Sequence, residues 1–169
     1  MSTLLIRANK AALVLSQALA GLGLIALLIL ATMTMVDGAL RWLVNRPIEG
    51  VRDVGSLAIA FAVSSCMPIA LIEKAHISVH LFESAVGGRF RRILALFASF
   101  AVAVVSGLLA WEFWLYAGKL ARGHETTVVL RIPTAPFWYA VDIVLWCAFV
   151  VQLVVTMNDL AQAFKGEPL

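Results

Sequence analysis

Long apolar runs alternate with short polar segments along the whole chain. Three runs, at 11–36, 54–72 and 93–111, carry no charge, and a fourth at 132–158 is interrupted only by Asp142. A helix needs about 20 residues to cross the hydrocarbon core of a bilayer, so each run is long enough to cross once. The pattern predicts an all-α membrane protein, a single four-helix membrane domain over residues 1–169 with spans at about 11–36, 54–72, 93–111 and 134–158.

Composition narrows the class of protein. With 62% hydrophobic and only 14% charged residues, the chain has too few polar side chains to cover a soluble globule. The net charge of +3 is spread over the loops, with no dense basic tract. We therefore expect the chain to lie in a lipid bilayer and to bind no nucleic acid. The sequence has no phosphate-binding loop, nucleophile elbow or zinc-ligand pattern. We therefore expect no enzyme activity, no catalytic or metal-binding residue and no cofactor.

The segment between the second and third runs has helical periodicity. Residues 76–86 place His76 and His80 on one face, and Val79 and Phe82 on another. The pattern predicts a short amphipathic helix at the membrane interface. Two histidines at this spacing can bind a metal, but the absence of a further ligand nearby favours two surface histidines.

Basic and aromatic residues fall on opposite sides of the predicted membrane. Arg89, Arg91 and Arg92 form the densest basic cluster, just before the third run. The aromatic residues typical of a headgroup belt lie at the other ends of the runs: Trp42, Trp111, Trp114, Tyr116, Trp138 and Tyr139. Basic residues are enriched in cytoplasmic loops. We therefore predict that both termini are cytoplasmic and that loops 37–53 and 112–131 lie outside.

The polar segment 123–136 has the most distinctive local pattern. It predicts a turn after Gly123, a short extended piece from Val128 to Ile132, and a helix start with Thr134 as N-cap. Proline and glycine mark the structural breaks of the chain, since proline ends or kinks a helix. The candidate structural residues are Pro47, Pro68, Gly123, Pro133 and Pro136.

Charged and polar residues in the two outer loops allow two interpretations. They are either a solvated surface or a docking surface whose charges set the register with a partner. The docking candidates are Arg41, Arg46, Glu49, Arg52, Asp53, Arg122, His124 and Thr126.

Asp142 is the one ionisable residue within the predicted spans. Three roles are open for its side chain: it pairs with a basic group on a neighbouring helix, it contacts another subunit, or it forms part of an ion path.

Small residues recur every four positions in three of the runs, a spacing that lets helices pack closely in lipid. The predicted seams are Ala12, Ser16 and Ala20; Ser56, Ala60 and Ser64; and Ala95, Ser99, Ala103 and Gly107.

Several short motifs occur in an order known from one family. They are Arg41-Trp42 with Asn45-Arg46-Pro47, then Ala75-His76-Ile77-Ser78-Val79, then Gly123, Thr126-Thr127 and Leu130-Arg131-Ile132-Pro133 before Trp138-Tyr139. In these motifs the chain resembles the small membrane subunit of tripartite ATP-independent periplasmic (TRAP) transporters, the Q-type or DctQ-like family. It departs from the family at Arg52-Asp53, where an acidic pair is common, and at His80, where an acidic residue is common.

The resemblance implies a role in the bacterial inner membrane. The chain would be the scaffold subunit for sodium-coupled uptake of an organic acid, with a large transmembrane permease subunit and a periplasmic substrate-binding protein as partners. The alternatives are a structural four-helix subunit of another membrane complex, or a small independent exporter.

Overall fold

The computed structural model describes residues 3–73 and 88–165, and they form four helices. These are α1 (Thr3–Val44), α2 (Val51–Ile72), α3 (Gly88–Gly123) and α4 (Ala135–Lys165). All four are long and apolar enough to cross a membrane. The predicted all-α architecture with four helices able to span a membrane is therefore confirmed for the described residues. The predicted amphipathic helix with His76 and His80 lies outside the described residues.

The helices extend beyond the charge-free runs that predicted them. At 1.5 Å per residue the 42 residues of α1 reach about 63 Å, roughly twice the hydrocarbon thickness. Helix α3 continues past residue 111 to Gly123, because exposed charged side chains do not interrupt a helix near a membrane surface. The outer loop predicted at 112–131 is therefore only 124–134, and Arg122 lies in the last turn of α3 rather than in a loop.

Helix α4 is the centre of the packing. It contacts α1, α2 and α3, whereas α3 packs extensively only on α4 among the described elements. At one end of the molecule the side chain of Asn158 hydrogen-bonds that of Asn9 at 3.2 Å. The start of α1 and the end of α4 are thus at the same end of the bundle.

Helices α1 and α2 approach closely at a glycine. A Cβ added to Gly23 would lie 2.9 Å from Ser65 Cβ and 3.1 Å from the Ala62 carbonyl oxygen. Gly55 similarly faces Leu30. The α2 seam therefore runs through Gly55, Ala62 and Ser65, and the prediction that Ser56 belongs to it is wrong, because Ser56 is exposed.

Helices α3 and α4 are joined by buried hydrogen bonds. The Ser99 hydroxyl donates to Asp159 Oδ2 at 2.5 Å, and the Gln152 side-chain amide donates to the Ser99 carbonyl at 3.0 Å. Thr156 Oγ1 lies 3.3 Å from the same carbonyl. Two residues of the predicted α3 seam, Ser99 and Ala103, are buried here, as that prediction requires. We call Ser99, Gln152, Thr156 and Asp159 the polar seam.

Large apolar side chains remain on the outer surface of the bundle. On α1, Leu28 is 65% exposed and Met35 is 79% exposed, and many other aliphatic residues are similarly uncovered. Such a surface is stable in contact with lipid or with apolar parts of other proteins. Together with the four long apolar helices, it identifies a multi-pass membrane protein.

Candidate functional site

The first connection, residues 45–50, is held by a buried carboxylate. Helix α1 ends at Val44, where Asn45 adopts a positive φ of 53° ahead of Pro47. Asp37 Oδ1 accepts a hydrogen bond from the backbone N–H of Ile48 at 2.6 Å, and Oδ2 pairs with Arg41 Nη2 at 3.0 Å. Asp37 therefore folds the connection back onto the last turns of α1.

The second connection, residues 124–134, is held by a carboxylate of a different helix. Asp53 Oδ2, in the first turn of α2, accepts hydrogen bonds from the backbone N–H groups of Val129 at 2.8 Å and Leu130 at 3.1 Å. Thr127 N–H donates to the Ile132 carbonyl at 2.9 Å. The extended piece predicted from Val128 to Ile132 is wrong, because these bonds close the segment into a turn.

The two connections touch each other through Gly50. Gly50 has a φ of +87°, a conformation that favours glycine. A Cβ at this position would lie 2.5–2.7 Å from atoms of the Leu130 side chain. Residues 45–50 and 124–134 therefore form one continuous surface, which we call the connection surface.

Helix α4 begins directly after this surface. Thr126 and Pro133 form an isolated antiparallel bridge, and the Thr134 carbonyl accepts hydrogen bonds from the N–H groups of Phe137 and Trp138. The Thr134 hydroxyl, however, bonds the Glu125 carbonyl at 3.1 Å. Thr134 thus stands at the helix start as predicted, but its side chain fixes the connection instead of capping the helix.

The charges that remain free on and around the connection surface are mostly basic. Asp37 and Asp53 are engaged by hydrogen bonds, and Arg41–Asp37 is the only ion pair within the described residues. Arg122 donates only to the Gly118 carbonyl, at 3.2 Å. The exposed charged residues here are Arg46, Arg52, Lys119, Arg122 and Arg131 against Glu49 and Glu125, with His124 and Thr126 exposed beside them.

An aromatic cluster lies beneath the connection surface, between α3 and α4. The ring centroids of Phe113 and Tyr116 lie 5.8 Å and 5.0 Å from that of Trp138, and Trp114 lies 5.5 Å from Tyr139. Such offset and edge contacts favour association beyond the area that they bury. The aromatic cluster fixes which turns of the two helices lie at the same level.

Asp142 lies apart from the connection surface, inside the bundle. Its side chain is fully buried, and neither carboxylate oxygen has a hydrogen-bond partner among the described residues. Within the described chain no basic group pairs with Asp142, and its buried side chain offers no surface to another subunit.

A comparison with known protein families gives a match for this chain. Residues 30–166 match the family model described as tripartite ATP-independent periplasmic transporters, DctQ component. The chain belongs to this family. The DctQ component is the small subunit of a TRAP transporter, and the family works with a large permease and a binding protein. Comparisons with curated proteins and with solved structures gave no significant match for this DctQ chain.

Three features of this DctQ subunit were not predicted from its sequence. The spacing of Gln152, Thr156 and Asp159 along one face of α4 is a signal that would have found the polar seam. The spacing of Asp37 and Arg41, one helical turn apart, indicates their ion pair. The helical position of the exposed Glu112 within α3 was also not predicted, because the third apolar run ends at the residue before it.

Proposed function

We propose that this DctQ subunit is the membrane scaffold of a transporter that takes up an organic acid with sodium, the large permease subunit carrying the substrate. The observation that carries the proposal is the family match over residues 30–166, which covers parts of all four helices and both described connections. Sodium coupling and the organic acid follow from what the family resemblance implies.

The form of the helices supports a scaffold role. Transport sites in secondary transporters are typically built on helices that are broken near the bilayer midplane. Helices α1, α2, α3 and α4 each run without a break, and α2 continues through the buried Pro68. Among the buried carboxylates, Asp37 and Asp159 are engaged in hydrogen bonds. These features suit a rigid support for a permease.

The connection surface is the part of the subunit suited to the periplasmic binding protein. Asp37 ties the first connection to α1, Asp53 ties the second connection to α2, and Leu130 packs against the first connection. The two connections therefore present their free cations from a fixed backbone. Such a surface attracts a partner with an acidic patch, mainly by raising the association rate. Arg46 lies in the first connection and Arg52 two residues after Gly50, and both side chains are exposed.

This assignment requires that the connection surface lies outside the cytoplasm and that both termini lie inside. Cysteine labelling tests the orientation in a variant without Cys66 and Cys147. In intact cells, Glu49→Cys should react with an impermeant maleimide and Gly88→Cys should not. Labelling of residue 88 alone would show that the orientation is the reverse of the proposed one. The connection surface would then lie on the opposite side of the membrane from the binding protein.

The scaffold proposal is tested by assembly. We expect a tagged copy of this chain to co-purify with the large permease subunit from a membrane in which both are expressed. Cells lacking this chain should lose uptake, and its return should restore it. Uptake that persists in full without this chain would contradict the proposal.

A further inference from the structure

Between Val105 and Leu115, the face of α3 that points away from α4 is apolar except for one carboxylate, and the exposed Lys119 follows one turn beyond Leu115. Val105, Leu108 and Leu115 are 62%, 59% and 38% exposed, and the exposed Glu112 falls between Leu108 and Leu115 at helical spacing. We call these four residues the Glu112 face. The opposite face of α3 packs on α4 and carries the buried residues Ala103, Ser106, Ala110 and Ala117.

The depth of Glu112 in the membrane follows from the aromatic cluster. Phe113 and Tyr116 stack against Trp138, at the level where α4 begins. Glu112 lies just to the membrane side of this level. In a helix each Cα–Cβ bond tilts toward the N-terminus, and for α3 that direction is away from the aromatic cluster and toward the bilayer centre. The Cα–Cβ bond of Glu112 therefore points away from the aromatic cluster, and Glu112 falls within the helical stretch Leu96–Gly123 that is long and apolar enough to cross a membrane.

A carboxylate in this position needs a partner, and none of the residues that the structure describes supplies one. Ionisable residues within membrane spans almost always face a bundle interior, a water-filled cavity or an opposite charge. Glu112 instead faces outward, and none of the described residues forms an ion pair with it. The Glu112 face is therefore complementary to an apolar surface that carries a positive charge at the same depth.

We propose that the Glu112 face docks against a transmembrane helix of the large permease subunit that presents an arginine or lysine to Glu112. This inference rests on the proposed scaffold function and names the surface that the scaffold uses. A second copy of this chain is a poorer occupant, because a two-fold contact through this face would bring Glu112 against Glu112. Lipid acyl chains would cover the apolar residues but leave the carboxylate unpaired.

Photo-crosslinking tests the position of the partner while Glu112 stays in place. A benzoylphenylalanine at Leu108 or Leu115, one turn either side of Glu112, should join this chain to the large subunit in the purified complex. Ile143, 62% exposed on α4, is the matched control, because Val141 and Leu145 beside it pack at the level of Ala110. Adducts with a second copy, adducts with phospholipid alone, or no adduct from positions 108 and 115 would each overturn the proposal.

Charge variants test the chemistry of the contact. Removing one partner of a desolvated charge pair generally weakens association by about tenfold or more. We expect Glu112→Lys to lose at least about tenfold in complex yield and Glu112→Gln to lose less, since glutamine keeps an acceptor. Glu73→Lys is the matched control, because it reverses an exposed carboxylate at the C-terminal end of α2, away from the Glu112 face. This variant should retain the complex. Each variant is first shown to be monodisperse when purified alone.

The outcomes separate this inference from the function on which it rests. If the unaltered chain fails to co-purify with the large subunit, the scaffold proposal fails and the docking proposal fails with it. If the unaltered chain co-purifies and Glu112→Lys co-purifies equally well, only the docking proposal is overturned.

Discussion

Replacing Gly23 by alanine tests how closely α1 and α2 pack. The new Cβ would lie 2.9 Å from Ser65 Cβ and 3.1 Å from the Ala62 carbonyl oxygen, whereas carbon atoms in contact prefer about 3.5–4.0 Å. The close atoms are a Cβ and a backbone oxygen of α2, which cannot rotate away, so the collision is relieved only if one of the two helices moves. Overpacking of this kind costs about 1–3 kcal/mol. Against this, alanine favours the helical state by about 1 kcal/mol over glycine.

Gly21→Ala is the matched control on the same helix. No atom lies within 4 Å of the Cβ that it adds, so it brings the gain in helix propensity without the collision. The free energy of unfolding should therefore be lower for Gly23→Ala than for Gly21→Ala by about 1–3 kcal/mol. The measurement is equilibrium unfolding in mixed detergent and SDS micelles, followed by circular dichroism. Equal stabilities would refute the close contact between Gly23 and α2.

Four further predictions concern polar side chains. Ser99→Ala should lower the stability of the purified subunit in the same unfolding assay by about 0.6 kcal/mol, the average for hydrogen bonds between membrane helices, and by no more than about 1.7 kcal/mol. Asp142→Leu should be at least as stable as Asp142→Asn, because the structure shows no partner for an amide; the opposite order would show that a donor reaches this site. Asp53→Ala should release the second connection and speed proteolysis within 124–134, with unchanged cleavage arguing against its two hydrogen bonds. Reversing Arg46 and Arg52 together should slow uptake most at low salt, and a salt-independent effect would exclude charge-guided docking.

The helix count and the first helix end follow from local sequence. Each apolar run is long enough to cross a bilayer, and Pro47 removes a helical hydrogen bond, so neither feature depends on distant contacts. The end of α3 is different. Residues 112–123 mix charged and apolar side chains, which suits both a loop and a helix that emerges from the membrane, and packing against α4 decides for the helix.

The candidate site depends on contacts between residues far apart in sequence. From its neighbours in sequence, Asp53 looks like an acidic residue that stabilises the start of a helix. In the structure it instead accepts hydrogen bonds from Val129 and Leu130, 76 and 77 residues away. The seam of α2 illustrates the same limit. Ser56 and Gly55 are both small, and only the position of α1 beside Gly55 decides which of them is buried. Local periodicity therefore predicts the spans, while their mutual register needs the structure.

Reconstitution into liposomes tests the scaffold role most directly. The purified chain, the large permease subunit and the binding protein are compared with the purified chain alone, under an inward sodium gradient and with a labelled organic acid. The scaffold account predicts accumulation only when all three proteins are present, because the unbroken helices of this chain provide no site for coupling to sodium. Accumulation driven by the small chain alone would contradict the account and make the buried Asp142 a candidate coupling residue.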